Sequence, residues 1–115
     1  MGKRKNDDEV DKRILEARLE EIGKYEKSAD YIADKINRQN EKLCTINEKI
    51  KNTKLNLEML DFNDEYDTVK KAYYTSYLEQ LYEARQKAQR GLEAYENSYY
   101  ALSILLEQLR SELNS

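Results

Sequence analysis

The sequence contains no histidine, proline or tryptophan, and it has a single cysteine, Cys44. Histidine is the commonest general base and the commonest ligand of transition metals, so its absence removes the usual means of acid–base catalysis and metal binding. The Glu-x-x-His motif of di-metal helical bundles is therefore impossible. No glycine-rich phosphate-binding loop occurs, and Cys44 has no histidine to activate it. The sequence predicts a protein that is not an enzyme and that uses no cofactor or metal.

Long apolar runs are also missing, and the longest are only a few residues, as at 104–106. Nothing is long enough to span a membrane, and no apolar signal-peptide stretch follows the basic residues at positions 3–5. Cys44 cannot form an internal disulfide and gives no sign of an oxidising compartment. We therefore expect a cytoplasmic protein without membrane insertion, with export alongside a partner as the alternative.

Charged residues make up 37% of the 115 residues and hydrophobic residues 39%, which is too little apolar material for a thick core. This balance is typical of long helices with narrow apolar stripes, and the lack of proline agrees, because an interior proline would break such helices. Disorder is the alternative for so polar a chain, but the apolar residues recur at fixed spacing. The net charge is −3 and no basic face is present, so nucleic acid is not an expected partner.

A first helix is predicted from about residue 7 to residue 60, after a flexible basic segment at residues 1–6. Asn6 followed by acidic residues indicates a helix start, because an N-cap side chain and negative charge both stabilise that end. Two rows then recur at seven-residue intervals, as the a and d positions of a coiled coil do. The rows are Leu15, Ile22, Ala29, Ile36, Leu43, Ile50 and Leu57, and, three positions later, Arg18, Tyr25, Ile32, Gln39, Ile46, Thr53 and Leu60.

A turn is predicted at about residues 61–64, where Asp61, Phe62 and Asn63 interrupt the pattern with residue types that favour turns and N-caps. A second helix follows at about residues 65–113, and it too carries two heptad rows. The rows are Tyr74, Leu81, Ala88, Tyr95, Leu102 and Leu109, and, four positions later, Leu78, Arg85, Leu92, Tyr99, Leu106 and Leu113.

Symmetric pairing about the turn brings the two sets of rows together. It places Leu15 opposite Leu109, and the layers in between follow the same rule. Gln39 then falls opposite Arg85, and Thr53 falls opposite Lys71. Polar layers of this kind can fix the register of a coiled coil, because slippage would set them against apolar residues.

The predicted fold is therefore all-α, with two long helices forming an antiparallel coiled-coil hairpin as one domain over residues 7–115. A lone two-helix hairpin has a thin core to offset its ordering entropy, so we expect a partner to complete it into a bundle.

One further row on the second helix is predicted to lie outside the hairpin and to bind a partner. Its middle residues are small, so another helix could approach closely. Tyrosines beside it could bury their rings at an interface, or their ring edges could simply cover the hairpin core. We expect a partner helix, from another protein or from a second copy of this chain. The row is Tyr77, Ala84, Gly91, Ser98 and Leu105, and the tyrosines are Tyr73, Tyr82 and Tyr100.

A histidine-free helical hairpin of about 100 residues resembles the WXG-type small proteins of bacterial type VII secretion and the helical partner proteins encoded beside LXG toxins. The turn reads Leu60-Asp61-Phe62-Asn63 in place of Trp-x-Gly, and the tyrosine-plus-four acidic export signal is absent, since Tyr99 stands four positions after Tyr95. The resemblance thus implies an accessory partner or chaperone that packs on the helical N-terminal region of a toxin. The rival interpretation is a self-associating structural coiled coil, or a small phage or mobile-element protein that binds and regulates a host protein.

Overall fold

The fold consists of two long helices joined by a short turn. A computed structural model describes the backbone of residues 5–61 and 63–114, with side chains from Asp8 onward. Helix α1 spans Lys5–Glu58 and helix α2 spans Glu65–Asn114, and no strand occurs within these ranges. The all-α helical hairpin predicted from the heptad rows is confirmed. Neither helix, over its described residues, contains an apolar stretch long enough to cross a membrane.

The start of α1 differs from the prediction. The helix already includes Lys5, so Asn6 lies within its first turn and the prediction that Asn6 caps the helix is wrong. Residues 1–4 of the predicted flexible segment lie outside the described residues. At its other end α1 stops at Glu58 and not at residue 60. The Leu60 amide bonds the carbonyl oxygen of Leu57, three positions back, at 3.3 Å, which is the tightened geometry common at helix ends.

Acidic side chains shape the turn. The Asp61 amide donates to the carboxylate of Asp67 at 2.7 Å, and the Asn63 amide donates to the carboxylate of Asp61 at 3.0 Å. Asp64 caps α2, because its carboxylate accepts the amide of Tyr66 at 2.9 Å. These carboxylates accept hydrogen bonds from backbone amides that have no acceptor within a helix. The predicted turn is therefore confirmed around Asp61 and Asn63, whereas Phe62 lies outside the described residues.

The chain divides into two compact units, which we call the turn unit, residues 36–94, and the terminal unit, residues 1–35 and 95–115. In the turn unit, four apolar residues are buried in one cluster, and the buried hydroxyl of Thr53 donates to the carbonyl oxygen of Lys49 in the same helix at 2.7 Å. That bond satisfies the only polar group of the threonine side chain, so its burial costs little. The cluster is Ile46, Ile50, Leu81 and Ala88, packed by Leu43, Tyr77, Leu78, Tyr82 and Ala84.

The terminal unit has a smaller cluster. Two ion pairs join its helices, from Arg18 to Glu112 and from Arg110 to Glu26, each at 3.6 Å, and all four side chains are about half exposed. Exposed pairs of this kind add little stability, so packing is the main cohesion of this unit. The cluster is Ile22, Ala29 and Leu106, packed by Tyr25, Leu102, Leu109 and Leu113.

Every buried apolar residue in the two clusters belongs to one of the predicted heptad rows, which confirms the predicted core face of each helix. Three row members are exposed, and they are Leu15, Arg18 and Tyr99. Burial thus follows the heptad rows over most of their length but not at every position.

The predicted register is wrong in detail. Gln39 does not share a polar layer with Arg85: its side-chain amide donates to the carbonyl oxygen of Ala88 at 3.2 Å, while Arg85 donates to Asn47 at 3.5 Å. A heptad pattern repeats every seven residues, so a slide of about one heptad presents the same apolar rows. Spacing alone could therefore identify the faces but could not fix the alignment.

The same correction applies within the terminal unit. Because Arg18 contacts Glu112, the residues of α2 that lie level with Leu15 are the last ones of that helix. The predicted pairing of Leu15 with Leu109 therefore fails, and Leu15 stays exposed.

Candidate protein-binding surface

The predicted small-residue row spans both units, and its part in the turn unit is not outside the hairpin. Tyr77 and Ala84 pack against the buried cluster, and Gly91 meets the side chain of Gln39 from α1. The expectation that these three residues lie outside the hairpin is wrong, whereas their contact with a partner stays a prediction. The physical reason is the register, which brings α1 over the small residues that a partner helix was expected to cover.

Gly91 allows a close approach between the helices of the turn unit. A Cβ atom at this position would lie 2.6 Å from Nε2 of Gln39, closer than real Cβ contacts. With only hydrogen there, the Gln39 side chain crosses to the carbonyl oxygen of Ala88 and donates to it at 3.2 Å. Glycine costs about 1 kcal/mol in a helix interior relative to alanine. Gly91 offsets this cost by leaving space for the Gln39 side chain.

Tyr82 is also part of the hairpin. Its ring has two cations against it, with Lys54 Nζ at 5.7 Å from the ring centroid and Arg85 Cζ at 5.1 Å. Lys54 belongs to α1 and Arg85 to α2, so the ring joins the helices through cation–π contacts. Tyr82 is partly buried against the cluster of the turn unit. Its predicted role as a partner contact therefore competes with a packing role inside the hairpin.

Tyr73 is the predicted tyrosine of the turn unit that does face outward. Its ring stacks on Tyr77 with centroids 6.4 Å apart and planes 2° from parallel, and it meets Tyr74 edge-on at 5.6 Å. Tyr77 in turn packs against the buried cluster. An exposed ring is thus held by two neighbours, one of which is anchored in the core. Fixed aromatic rings of this kind bury large area at low entropic cost when a partner binds.

Two residues that sequence reasoning missed extend this surface. Tyr66 and Val69 are both more than 70% exposed, and they precede Tyr73 by seven and four positions, which places all three on one face of α2. Lys70 Nζ lies 5.7 Å from the ring centroid of Tyr66 and covers one side of it. We call Tyr66, Val69, Tyr73 and Tyr77 the tyrosine face. The helical spacing of these residues is visible in the sequence, but Tyr66 and Val69 lie outside the predicted heptad rows.

In the terminal unit, the predicted contact residues are Ser98, Tyr100 and Leu105. Ser98 and Tyr100 are exposed, whereas Leu105 is partly buried. Ile104 is exposed as well and lies one turn after Tyr100, so the two form a small apolar group on the surface of α2.

Comparison with protein-family models, with curated proteins and with solved structures gave no match. The side chains that the structure describes include no group of three or more potential metal ligands. Cys44 is exposed on α1. The interpretation of the surface therefore depends on its own geometry, and the strongest feature of that geometry is the tyrosine face.

Proposed function

We propose that this protein is a non-catalytic binding module that packs against a helical segment of another protein through the tyrosine face of α2. The observation that carries the proposal is the outward ring of Tyr73, stacked on a core-anchored Tyr77 and continued along the helix by Val69 and Tyr66. Contiguous apolar surface on a small protein is characteristic of interaction sites, and tyrosine is enriched at their centres.

The chemistry of the face favours a helix as the bound segment. The four residues recur at three- and four-residue spacing, so they form a stripe along the helix axis and not a round pocket. An amphipathic helix laid along such a stripe can bury its own apolar residues at the matching spacing. The surrounding charges are mixed, with Asp67 4.0 Å from Lys70, so neither sign of partner charge is strongly favoured.

The finer proposal is that the partner is the helical region of a type VII secretion effector, with this chain as its accessory protein or chaperone. Its support is the architecture, a helical hairpin without histidine that exposes an apolar stripe on the second helix. In this role the hairpin would gain additional helices, and the exposed tyrosines would become the core of a bundle.

The first experiment is co-expression with a large helical protein encoded beside this chain. We expect the two proteins to co-purify as a one-to-one complex, as measured by light scattering and native mass spectrometry. A chain that assembles only with itself and ignores the neighbouring protein would favour the rival structural coiled coil.

The second experiment tests the tyrosine face in that complex by calorimetry. Tyr73→Ala is expected to weaken binding by roughly 30-fold or more, as truncation of a central aromatic contact does. The matched control is Tyr31→Ala, because Tyr31 is 63% exposed and Tyr73 is 66% exposed, and both are helical. Equal losses in both variants would show that the tyrosine face is not the binding site.

A further inference from the structure

The surface of α2 continues past the tyrosine face as a shallow groove over Ala84. Ala84 is small and partly buried, so the longer side chains around it form the walls. Helical spacing of three and four residues places the groove on the same side of α2 as the tyrosine face. The tyrosine face and the groove together extend over about 25 residues, or roughly 36 Å of helix. The walls of the groove are Gln80, Glu83, Gln86, Lys87 and Arg90.

The end of this surface nearest the turn is acidic. Residues 61–67 contain four acidic side chains and no basic one. Three of these carboxylates accept backbone amides within the turn, so they are held beside the first turn of α2. The next basic residue along the chain is Lys70, which lies 4.0 Å from Asp67. One cation beside four carboxylates leaves this end with a negative net charge.

The opposite end of the surface is basic. Residues 85–90 contain three basic side chains and no acidic one. Arg85 is directed towards α1, where it donates to Asn47 at 3.5 Å. Lys87 and Arg90, in contrast, are exposed along the groove, whose lining also includes Glu83. Two positive charges and one negative charge leave this end with a positive net charge.

We propose that the partner helix has ends of opposite charge and lies antiparallel to α2, with its acidic N-terminal part over Lys87 and Arg90 and its basic C-terminal part over the turn. This proposal rests on the proposed function, because it specifies the helix that the tyrosine face binds. Apolar residues in the middle of the partner contact the tyrosine face. Neither sign of charge prevails over the whole surface, but each end meets its opposite.

The direction of the partner follows from the helix dipole. A helix is stabilised by acidic residues in its first turn and by basic residues in its last turn. A partner helix with this stable arrangement satisfies both ends of the surface only when it is antiparallel to α2. The parallel direction would place its acidic end over the acidic turn and its basic end over Lys87, and like charges in a contact are unfavourable.

The test uses two synthetic helical peptides of about 25 residues with one apolar stripe, titrated into the full chain by calorimetry. The polarised peptide carries glutamates in its first turns and lysines in its last turns. The alternating peptide has the same composition, with glutamates and lysines alternating along its length. We expect the polarised peptide to bind roughly 10-fold more tightly at low ionic strength, and the difference should diminish in high salt because exposed charges are screened.

A charge-reversed variant of the chain tests the basic end. Lys87→Glu combined with Arg90→Glu is expected to remove the preference for the polarised peptide, because the acidic end of that peptide then meets two carboxylates. The matched control is Lys24→Glu combined with Lys27→Glu, which has the same spacing and the same change of net charge at exposed positions of α1. The control should keep the preference, and circular dichroism should show that both variants remain helical.

Crosslinking measures the direction of the bound peptide. In a Cys44→Ser background, a cysteine at the N-terminus of the polarised peptide should crosslink to the chain with Gln86→Cys and not to the chain with Glu65→Cys. Gln86 lies in the groove and Glu65 begins α2, so the two positions report opposite ends of the surface.

The outcomes separate this proposal from the proposed function. Equal binding of the two peptides, an unchanged preference in the charge-reversed variant, or crosslinking mainly through Glu65→Cys would overturn the proposal and leave the tyrosine face as a helix-binding surface. Failure of both peptides to bind, or binding that Tyr73→Ala does not weaken, would contradict the proposed function as well.

Discussion

The turn unit and the terminal unit contain the same two helices but hold them together differently. In the turn unit, four apolar side chains and Thr53 are buried, and the cross-helix polar contacts are side-chain hydrogen bonds and cation–π contacts around Gln39 and Tyr82. Among the described residues of the terminal unit, three apolar side chains are buried in one cluster, and two exposed ion pairs are among the polar contacts that join its helices. From the larger buried cluster we expect the turn unit to be the more stable of the two.

This comparison also bears on the surface that we propose a partner covers. The tyrosine face lies on the turn unit, where Tyr77 ties an exposed ring to a buried cluster. In the terminal unit, Leu15 and Leu19 of α1 are about half exposed. A surface on a firmly packed support can bind a partner without first becoming ordered itself.

The largest effect is expected from a matched pair of core substitutions. Ile50 and Ile22 are 4% and 5% exposed, so truncation to alanine removes the same atoms from equally buried positions. We expect Ile50→Ala to lower the free energy of unfolding by about 3–4 kcal/mol and Ile22→Ala by about 2 kcal/mol, because fewer buried neighbours surround Ile22 and the site can collapse. Urea denaturation measures both values. Equal losses would remove the basis for ranking the two units.

A smaller effect should distinguish the two helical glycines. A Cβ atom added at Gly23 would meet nothing within 4 Å, so Gly23→Ala is expected to stabilise the hairpin by about 0.5–1 kcal/mol through helix propensity. Gly91→Ala should give no such gain, because the methyl group displaces Gln39 and strains its bond to Ala88. Thermal unfolding of the two variants provides the measurement. If Gly91→Ala stabilised the hairpin as much as Gly23→Ala, the Gln39 side chain would be able to move away at no cost in stability.

The smallest effect is expected for an ion pair of the terminal unit. Glu26→Ala removes the contact with Arg110, and both side chains are about half exposed. We expect a loss of only about 0.2–0.5 kcal/mol, and the loss should diminish in high salt. The matched measurement is Glu26→Ala at low and high ionic strength. A loss of unfolding free energy above about 1 kcal/mol would mean that this ion pair stabilises the terminal unit more than exposed pairs usually do.

Much of the fold followed from the sequence because heptad spacing determines which face of each helix is apolar. The buried residues Ile46, Ile50 and Leu81 were all predicted in this way, and so was the turn at Asp61 and Asn63. The register was not predictable from spacing, because a slide of one heptad preserves the same faces. Contacts such as Gln39 with Ala88 decide it, and they depend on turn geometry.

The candidate site was predicted only in part, and the register is the reason. Tyr73 was identified correctly as exposed, but Gly91 and Tyr82 were assigned to a free surface although α1 contributes Gln39 and Lys54 against them. With α1 in its observed alignment along α2, the exposed tyrosines near the turn are Tyr66 and Tyr73. The wrong predicted alignment of α1 along α2 therefore led to a wrong prediction of which α2 residues are exposed.

Amide hydrogen exchange, measured at low protein concentration so that self-association is minimal, tests the central comparison most directly. The account predicts the slowest exchange around Ile50 and Leu81 in the turn unit, and the fastest exchange in helical residues of the terminal unit near Ile14 and Glu112. Protection that is uniform along both helices, or that is greatest in the terminal unit, would contradict it.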